Sequence, residues 1–248
     1  MGRTHEALER AEKEYQASLL GAFPVSKKRV MTVLPRPASD QSMLAWYEGL
    51  KTNLLARCQE KPIKSILFTS TLPGDGTSTT AIHLASCLVK DTELKVLLVD
   101  ANLRTPCLHD VFGVDHAHGL SDWVAKAGDM TSRMNKIGAT NLYVMPCGGK
   151  HSNPVALFES SAFDEFLQNS QAWFDFVILD APPAISFSEA RVICRKVDGV
   201  VLVLGSGTTR RQVALKAKKE IEEAGGKVLG VVLNRRKFHI PTWIYERL

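Results

Sequence analysis

The chain has 248 residues, 45% hydrophobic and 23% charged, with a formal net charge of +5. This is the profile of a globular protein large enough for one full core with appendages. No apolar run approaches the roughly 18–20 residues that span a bilayer, and the opening MGRTHEALERAEKEY is too polar for a signal peptide. Glu6 stands where a myristoylation signal carries Ser or Thr. Cys58, Cys87, Cys107, Cys147 and Cys194 are scattered, odd in number and without a C-x-x-C pair, so they read as reduced thiols, mostly in the core, rather than a metal site.

In chain order, residues 1–20 suit a helix, with Leu8, Ala11 and Tyr15 on one face. Residues 21–42 form an extended linker with three prolines and a Lys-Lys-Arg cluster. A second helix is expected over 41–58, ended by Lys61-Pro62, so the main domain runs over 43–237. Six short apolar runs follow: SILFTS (65–70), KVLLVD (95–100), NLYVMP (141–146), DFVILD (175–180), GVVLVL (199–204) and KVLGVVLN (227–234). Strands apolar nearly throughout are covered on both faces. Helical patterns separate most of them. One starts near Ser78 with Ala81, Leu84, Ala85 and Leu88 on one side, one covers 155–170, and one covers 210–224 before Gly225-Gly226. The alternation predicts an α/β fold, a doubly wound, mainly parallel sheet with helices on both faces. Ligands of such sheets bind beyond the C-terminal ends of the strands.

Three strand ends carry polar motifs. TLPGDGTS joins the first strand to its helix, and glycine-rich backbone at a helix N-terminus attracts phosphate. Ser78 holds the position whose hydroxyl would meet Mg²⁺. LLVDANLRTP ends a buried strand in Asp100, where an isolated carboxylate is costly; a metal-bound water or a nucleotide would explain it, and so would a helix cap. FDFVILDAPP does the same with Asp180, which would contact Mg²⁺ or align the attacking group, or serve only as a turn aspartate.

The three motifs together, with GLKTNL (49–54), LHDVFGV (108–114), GLSDW (119–123), Ser152-Asn153-Pro154 and VLGVVLN (228–234), resemble the bacterial tyrosine kinases (BY-kinases) of polysaccharide secretion, members of the MinD/ParA-type P-loop group. The likeness runs from about residue 43 to 236. It implies a cytoplasmic ATP-binding domain, held at the inner face of the membrane by a membrane-spanning chain-length regulator. Family members phosphorylate a C-terminal tyrosine cluster between subunits and so govern capsule or exopolysaccharide export. By position, Gly74, Asp75, Gly76, Thr77, Ser78 and Thr79 would cradle the phosphates of ATP or ADP, and Asn102 belongs to the same nucleotide-binding set. Ser78, Asp100 and Asp180 would hold Mg²⁺, with Asp100 and Asp180 as the residual catalytic pair, and Asn234 would face the base.

The departures from the family fall on its chemistry. Thr77 stands in place of the phosphate-loop lysine, and Asn102 in place of the second aspartate of Asp-x-Asp-x-Arg. After Tyr143 the only tyrosine is Tyr245, and the ring-forming Glu-x-x-Arg-x-x-Arg positions hold Ala45, Glu48 and Lys51. Phosphoryl transfer depends on positioned positive charge, while the backbone cradle is untouched. The expectation is therefore a regulatory protein that binds nucleotide but transfers phosphate weakly or not at all. One alternative is an active kinase that borrows Arg104 or a basic residue of a neighbouring subunit. Another is a MinD/ParA-like positioning ATPase, against which the loop lacks that group's extra lysine. No nucleic acid is expected as a partner, and self-association stays open. From Gly205 to Leu248 there are ten Lys/Arg against four Asp/Glu, and the tail 238–248 mixes basic and aromatic residues. That tail suits either a membrane surface or packing on the domain.

Overall fold

The computed structural model describes residues 41–90, 92–126 and 130–235, so the expected N-terminal helix, the linker and the 238–248 tail lie outside the described residues. Within them the chain runs α1 (Gln41–Glu60), β1 (Ser65–Ser70), α2 (Thr77–Val89), β2 (Val96–Asp100), α3 (Leu108–Phe112), α4 (Leu120–Ala125) and β3 (Asn135–Lys136). It continues through β4 (Leu142–Met145), α5 (Pro154–Glu159), α6 (Ser161–Trp173), β5 (Phe176–Asp180), α7 (Glu189–Cys194), β6 (Gly199–Gly205), α8 (Arg211–Glu223) and β7 (Val228–Asn234). The strands form one seven-stranded sheet in the order β3-β4-β2-β5-β1-β6-β7. All pairings are parallel except β3 with β4, which is antiparallel. The six apolar runs are the six parallel strands, each within a residue or so of its expected bounds.

Full burial of β1, β2 and β5 reflects the alternation of side chains between two cores. Ile66, Phe68, Leu98 and Ile178 pack under α1 and α2 with Leu54, Leu84 and Leu88. Leu67, Leu97, Val99, Val177 and Leu179 face the other layer, with Phe163, Phe166, Ile193 and Ile221. The helix expected over 155–170 is two helices. Ser160 takes extended backbone between them (φ −65°, ψ 152°). Its hydroxyl donates to the Leu157 carbonyl at 2.7 Å and accepts from the Phe163 N–H at 3.2 Å, so one serine closes α5 and opens α6. The basic face of α8 is exposed and laced by Lys216–Glu220, Lys218–Glu222 and Lys219–Glu223 pairs at i,i+4 spacing.

The two sheet edges differ. β4 is covered by the short antiparallel β3, through Asn135–Val144 and Lys136–Tyr143 pairing. β7 pairs only with β6 among the described residues, and Val231 and Leu233 on it are 53% and 55% exposed.

Phe166, fully buried, has ring contacts to Trp123 at 5.5 Å and Phe163 at 6.0 Å. Phe166→Ala is expected to cost about 3–5 kcal/mol in urea unfolding, and Phe166→Leu well under half of that.

Candidate functional site

The site grows from the C-terminal tips of the central strands. After β1 the chain must reverse within a few residues and enter α2. Gly74 and Gly76 make this possible with left-handed backbone, at φ +82° and +93°. A Cβ on Gly76 would collide with Asn234 Nδ2, so this glycine is required by space as well as by φ. Gly76 is the N-cap of α2, and no side chain caps the helix there. The first-turn N–H groups are thus left to an anion, in the field of a 13-residue helix.

The turn is held by its own framework. Asp75 is buried, and its Oδ2 accepts from Thr71 Oγ1 at 2.8 Å and from the Leu72 N–H at 3.0 Å. Thr209, beyond β6, donates to Asp75 Oδ1 at 3.1 Å. Asn234, at the tip of β7, donates from Nδ2 to the Asp75 carbonyl at 2.9 Å. The Asp75 side chain is therefore engaged in bracing the loop, and Asn234 lies against the loop backbone. Thr77, the first residue of α2, is buried, Ser78 is half-buried and Thr79 is exposed.

Asp100 and Asp180 sit side by side as register partners on β2 and β5, both with no exposure. Asp100 is satisfied: Oδ2 accepts from the N–H groups of Cys107 (2.9 Å) and Leu108 (3.0 Å), and Oδ1 from Asn102 (3.2 Å). It therefore caps α3 as well as lining the site. Burial raises its pKa to about 6 in spite of these donors. Asp180 differs, because neither oxygen has a hydrogen-bond partner among the described residues. Burial and the neighbouring Asp100 charge push its pKa well above the carboxylate range, offset in part by the Ser78 hydroxyl. Cys107 belongs to the same knot. Burial, then Asp180 and Asp100, raise its thiol to about 12, against the Ser78 hydroxyl, so it stays a neutral thiol. Cys147 also feels Asp100, after burial, and is raised to about 11.

The structure thus brings Ser78, Asp100 and Asp180 together beside the phosphate turn. Asn102 turns to its own loop: Oδ1 accepts from the Thr105 N–H at 3.1 Å and Nδ2 donates to Thr105 Oγ1 at 3.0 Å. Arg104 is engaged through Nε by Glu189 Oε1 at 2.7 Å, with its guanidinium 5.4 Å from the Phe187 ring centroid. Sequence reasoning missed Cys107, Thr209 and Glu189 as neighbours of the site, because each comes from a loop or short helix with no motif of its own. The two bare oxygens of Asp180, with the Ser78 hydroxyl, form a hard-oxygen donor set that suits Mg²⁺. No group of three or more His, Cys, Asp or Glu able to hold a metal occurs among the described residues.

A family model described as "ParA: NUBPL iron-transfer P-loop NTPase" matches residues 62–244. The chain belongs to the ParA-type P-loop NTPases. Its similar proteins include bacterial tyrosine kinases. It is 34% identical over 191 residues to the tyrosine-protein kinase YwqD of Bacillus subtilis, covering 77% of this chain and 80% of that one. The kinase domain of the Escherichia coli tyrosine kinase ETK superposes with a TM-score of 0.78 at 25% identity, covering 89% of this chain and 86% of that one. The cell division ATPase MinD of Pyrococcus furiosus gives 0.59 at 25% identity, covering 74% and 78%. The ParA-type sheet is the doubly wound one expected from the sequence, and the kinase branch is the nearer of these two in shape.

Asp180 is raised, so the folded state favours its protonated form. The stability this contributes is present below the unfolded-state pKa and is lost as pH rises toward the folded value. Without metal at pH 7.5, Asp180→Asn is expected to raise Tm, and its advantage over the parent should shrink toward pH 4; equal Tm values at both pH values would contradict this. Gly76→Ala should cost about 1–2 kcal/mol from φ alone, plus the clash. Made in an Asn234→Gly background and compared with that single variant, which has already lost the bond to the Asp75 carbonyl, the same substitution should cost the φ part only, as read by chemical denaturation.

Proposed function

We propose that this ParA-type protein is a BY-kinase-like nucleotide-binding regulator, impaired in phosphoryl transfer, that acts with a membrane-spanning chain-length regulator in capsule or exopolysaccharide export. The observation that carries the reading is the contrast at one turn. The phosphate cradle has its left-handed glycines, its open helix end and a bare Asp180, whereas the first helical residue is a buried Thr77 with no charge to give.

In this reading, ATP or ADP lies on the turn with its phosphates at the N–H groups of residues 74–79. Ser78 and Asp180 hold Mg²⁺, directly or through water, and Asp100 fixes the neighbouring loop through its three N–H donors. Mg²⁺ held there would supply charge neutralisation for the phosphates. Thr77 offers a hydroxyl hydrogen bond in place of a cation. Losing one transition-state donor costs about 10²–10³ in rate elsewhere, and a full charge should matter no less. Arg104 is a poor substitute, because releasing it would strand Glu189, whose side chain is 2% exposed and whose Oε2 already lacks a partner. Lys51, the one charged residue kept from the ring-forming pattern, donates to the Lys90 carbonyl at 3.4 Å at the end of α2. Placement at the inner face of the membrane follows from the partner, since no helix among the described residues is long and apolar enough to cross a bilayer. The MinD-like reading is disfavoured by the shape comparison and by the loop.

Calorimetry with Mg-ADP, and ATP turnover of the protein with and without Thr77→Lys, tests the reading. Binding by the parent is expected, with turnover at least about 10²-fold below that of the lysine variant. Turnover by the parent that matches Thr77→Lys, or strong tyrosine labelling from γ-labelled ATP, would overturn the impairment. Loss of that turnover on Arg104→Ala would assign it to a borrowed arginine.

A further inference from the structure

Among the described residues, β7 has a partner strand on one side only, β6. The Asn234 carbonyl faces β6, accepting from the Ser206 N–H at 2.8 Å. Strand alternation then turns the N–H and C=O groups of Val231 and Leu233 outward. Their side chains are 53% and 55% exposed. On the α1 side, a groove of about 550 Å³ runs between α1 and β7, lined by Leu50, Leu54, Ala56, Leu229 and Val232 among others. A long apolar edge left bare is a template for another strand.

We propose that residues 238–245 of this same chain fold back antiparallel along β7 as an added edge strand. Four observations choose this occupant. First, β7 ends in a turn conformation: Arg235, directly after it, has left-handed φ (57°), and its N–H is held by Asn234 Oδ1 at 2.8 Å. Second, the length fits. The eight residues 238–245 extend about 27 Å at strand rise, against about 23 Å for the seven of β7. Third, the sequence FHIPTWIY tolerates the pairing. With the N–H groups of residues 238, 240, 242 and 244 toward β7, Pro241 points its missing donor outward, the one place an edge strand accepts proline. The same parity puts Phe238, Ile240, Thr242 and Ile244 on one face and His239, Pro241, Trp243 and Tyr245 on the other, so each face of the new strand is mostly apolar. Fourth, the opposite edge of this sheet is closed in the same manner, by antiparallel β3 on β4.

The pairing has a consequence for phosphorylation. An antiparallel run from the tip of β7 carries Tyr245 toward the N-terminal ends of the strands, away from the nucleotide turn at their C-terminal ends. The lone tyrosine is thereby kept from the site of its own subunit. This holds whether or not the chain transfers phosphate.

Amide hydrogen exchange of Val231 and Leu233 in the full chain tests it, with Phe68 of β1 as the fold control. Stopping the chain after Arg235 should speed exchange at Val231 and Leu233 at least tenfold and leave Phe68 unchanged. Within the full chain, Thr242→Pro removes an inward donor and should release the edge as the truncation does, whereas His239→Pro should not. Fast exchange at Val231 and Leu233 in the parent chain would overturn the proposal, as would protection that survives Thr242→Pro. Protection that fades on dilution would assign the edge to a second copy and equally overturn it.

Discussion

Asp180 imposes the constraint around which the site is built. A carboxylate at the end of a central parallel strand, fully buried and with only the Ser78 hydroxyl beside it, destabilises the fold unless something positive or hydrogen-bonding arrives. Its register partner Asp100 adds a second carboxylate at the same depth. The two are treated differently. Asp100 is held by three backbone N–H groups from the loop that follows it, and so shapes that loop; Asp180 is left open toward Ser78. One acid is structural and the other is poised for a ligand, although the two look alike as apolar runs ending in aspartate.

The phosphate turn follows the same division. Its side chains and outer carbonyls face the protein: Asp75 binds Thr71, Leu72 and Thr209, and the Asp75 carbonyl binds Asn234. What remains for a ligand is main chain, and main-chain donors do not depend on which residue follows Gly76. Substituting threonine for lysine therefore leaves the cradle standing while removing the cation. Affinity for ground-state phosphate and stabilisation of the transferring phosphoryl group are separable quantities, and this loop separates them.

Much of this was legible in the sequence. The six parallel strands could be read because each is apolar on both faces, a pattern that only a doubly covered sheet produces. The two long helices behind the phosphate turn and after β6 were legible from their i, i+3, i+4 faces. What was not legible has local causes. The break at Ser160 is invisible to periodicity, because the apolar pattern of α5 continues into α6 and one hydroxyl serves both ends. β3 has two residues and α7 six, too few to show a period. Asp100, Asp180 and Ser78 could be named as a group, but not which aspartate was satisfied. That depends on whether a following loop curls its N–H groups back, as residues 102, 107 and 108 do here. Asn102 was placed with the nucleotide set by position; its amide is occupied by Thr105, a partner three residues on that only coordinates reveal.

Asn234 joins the two unusual features of the molecule. Its Nδ2 supports the phosphate turn at Asp75, and its Oδ1 holds the Arg235 N–H just after β7. A methyl on Gly76 has no room because this amide is there. One planar side chain with few soft torsions is therefore shared by the phosphate turn and the end of β7, which gives a physical route for coupling between them. Coupling of this kind needs no change of fold. It requires only that both hydrogen bonds of one amide persist together.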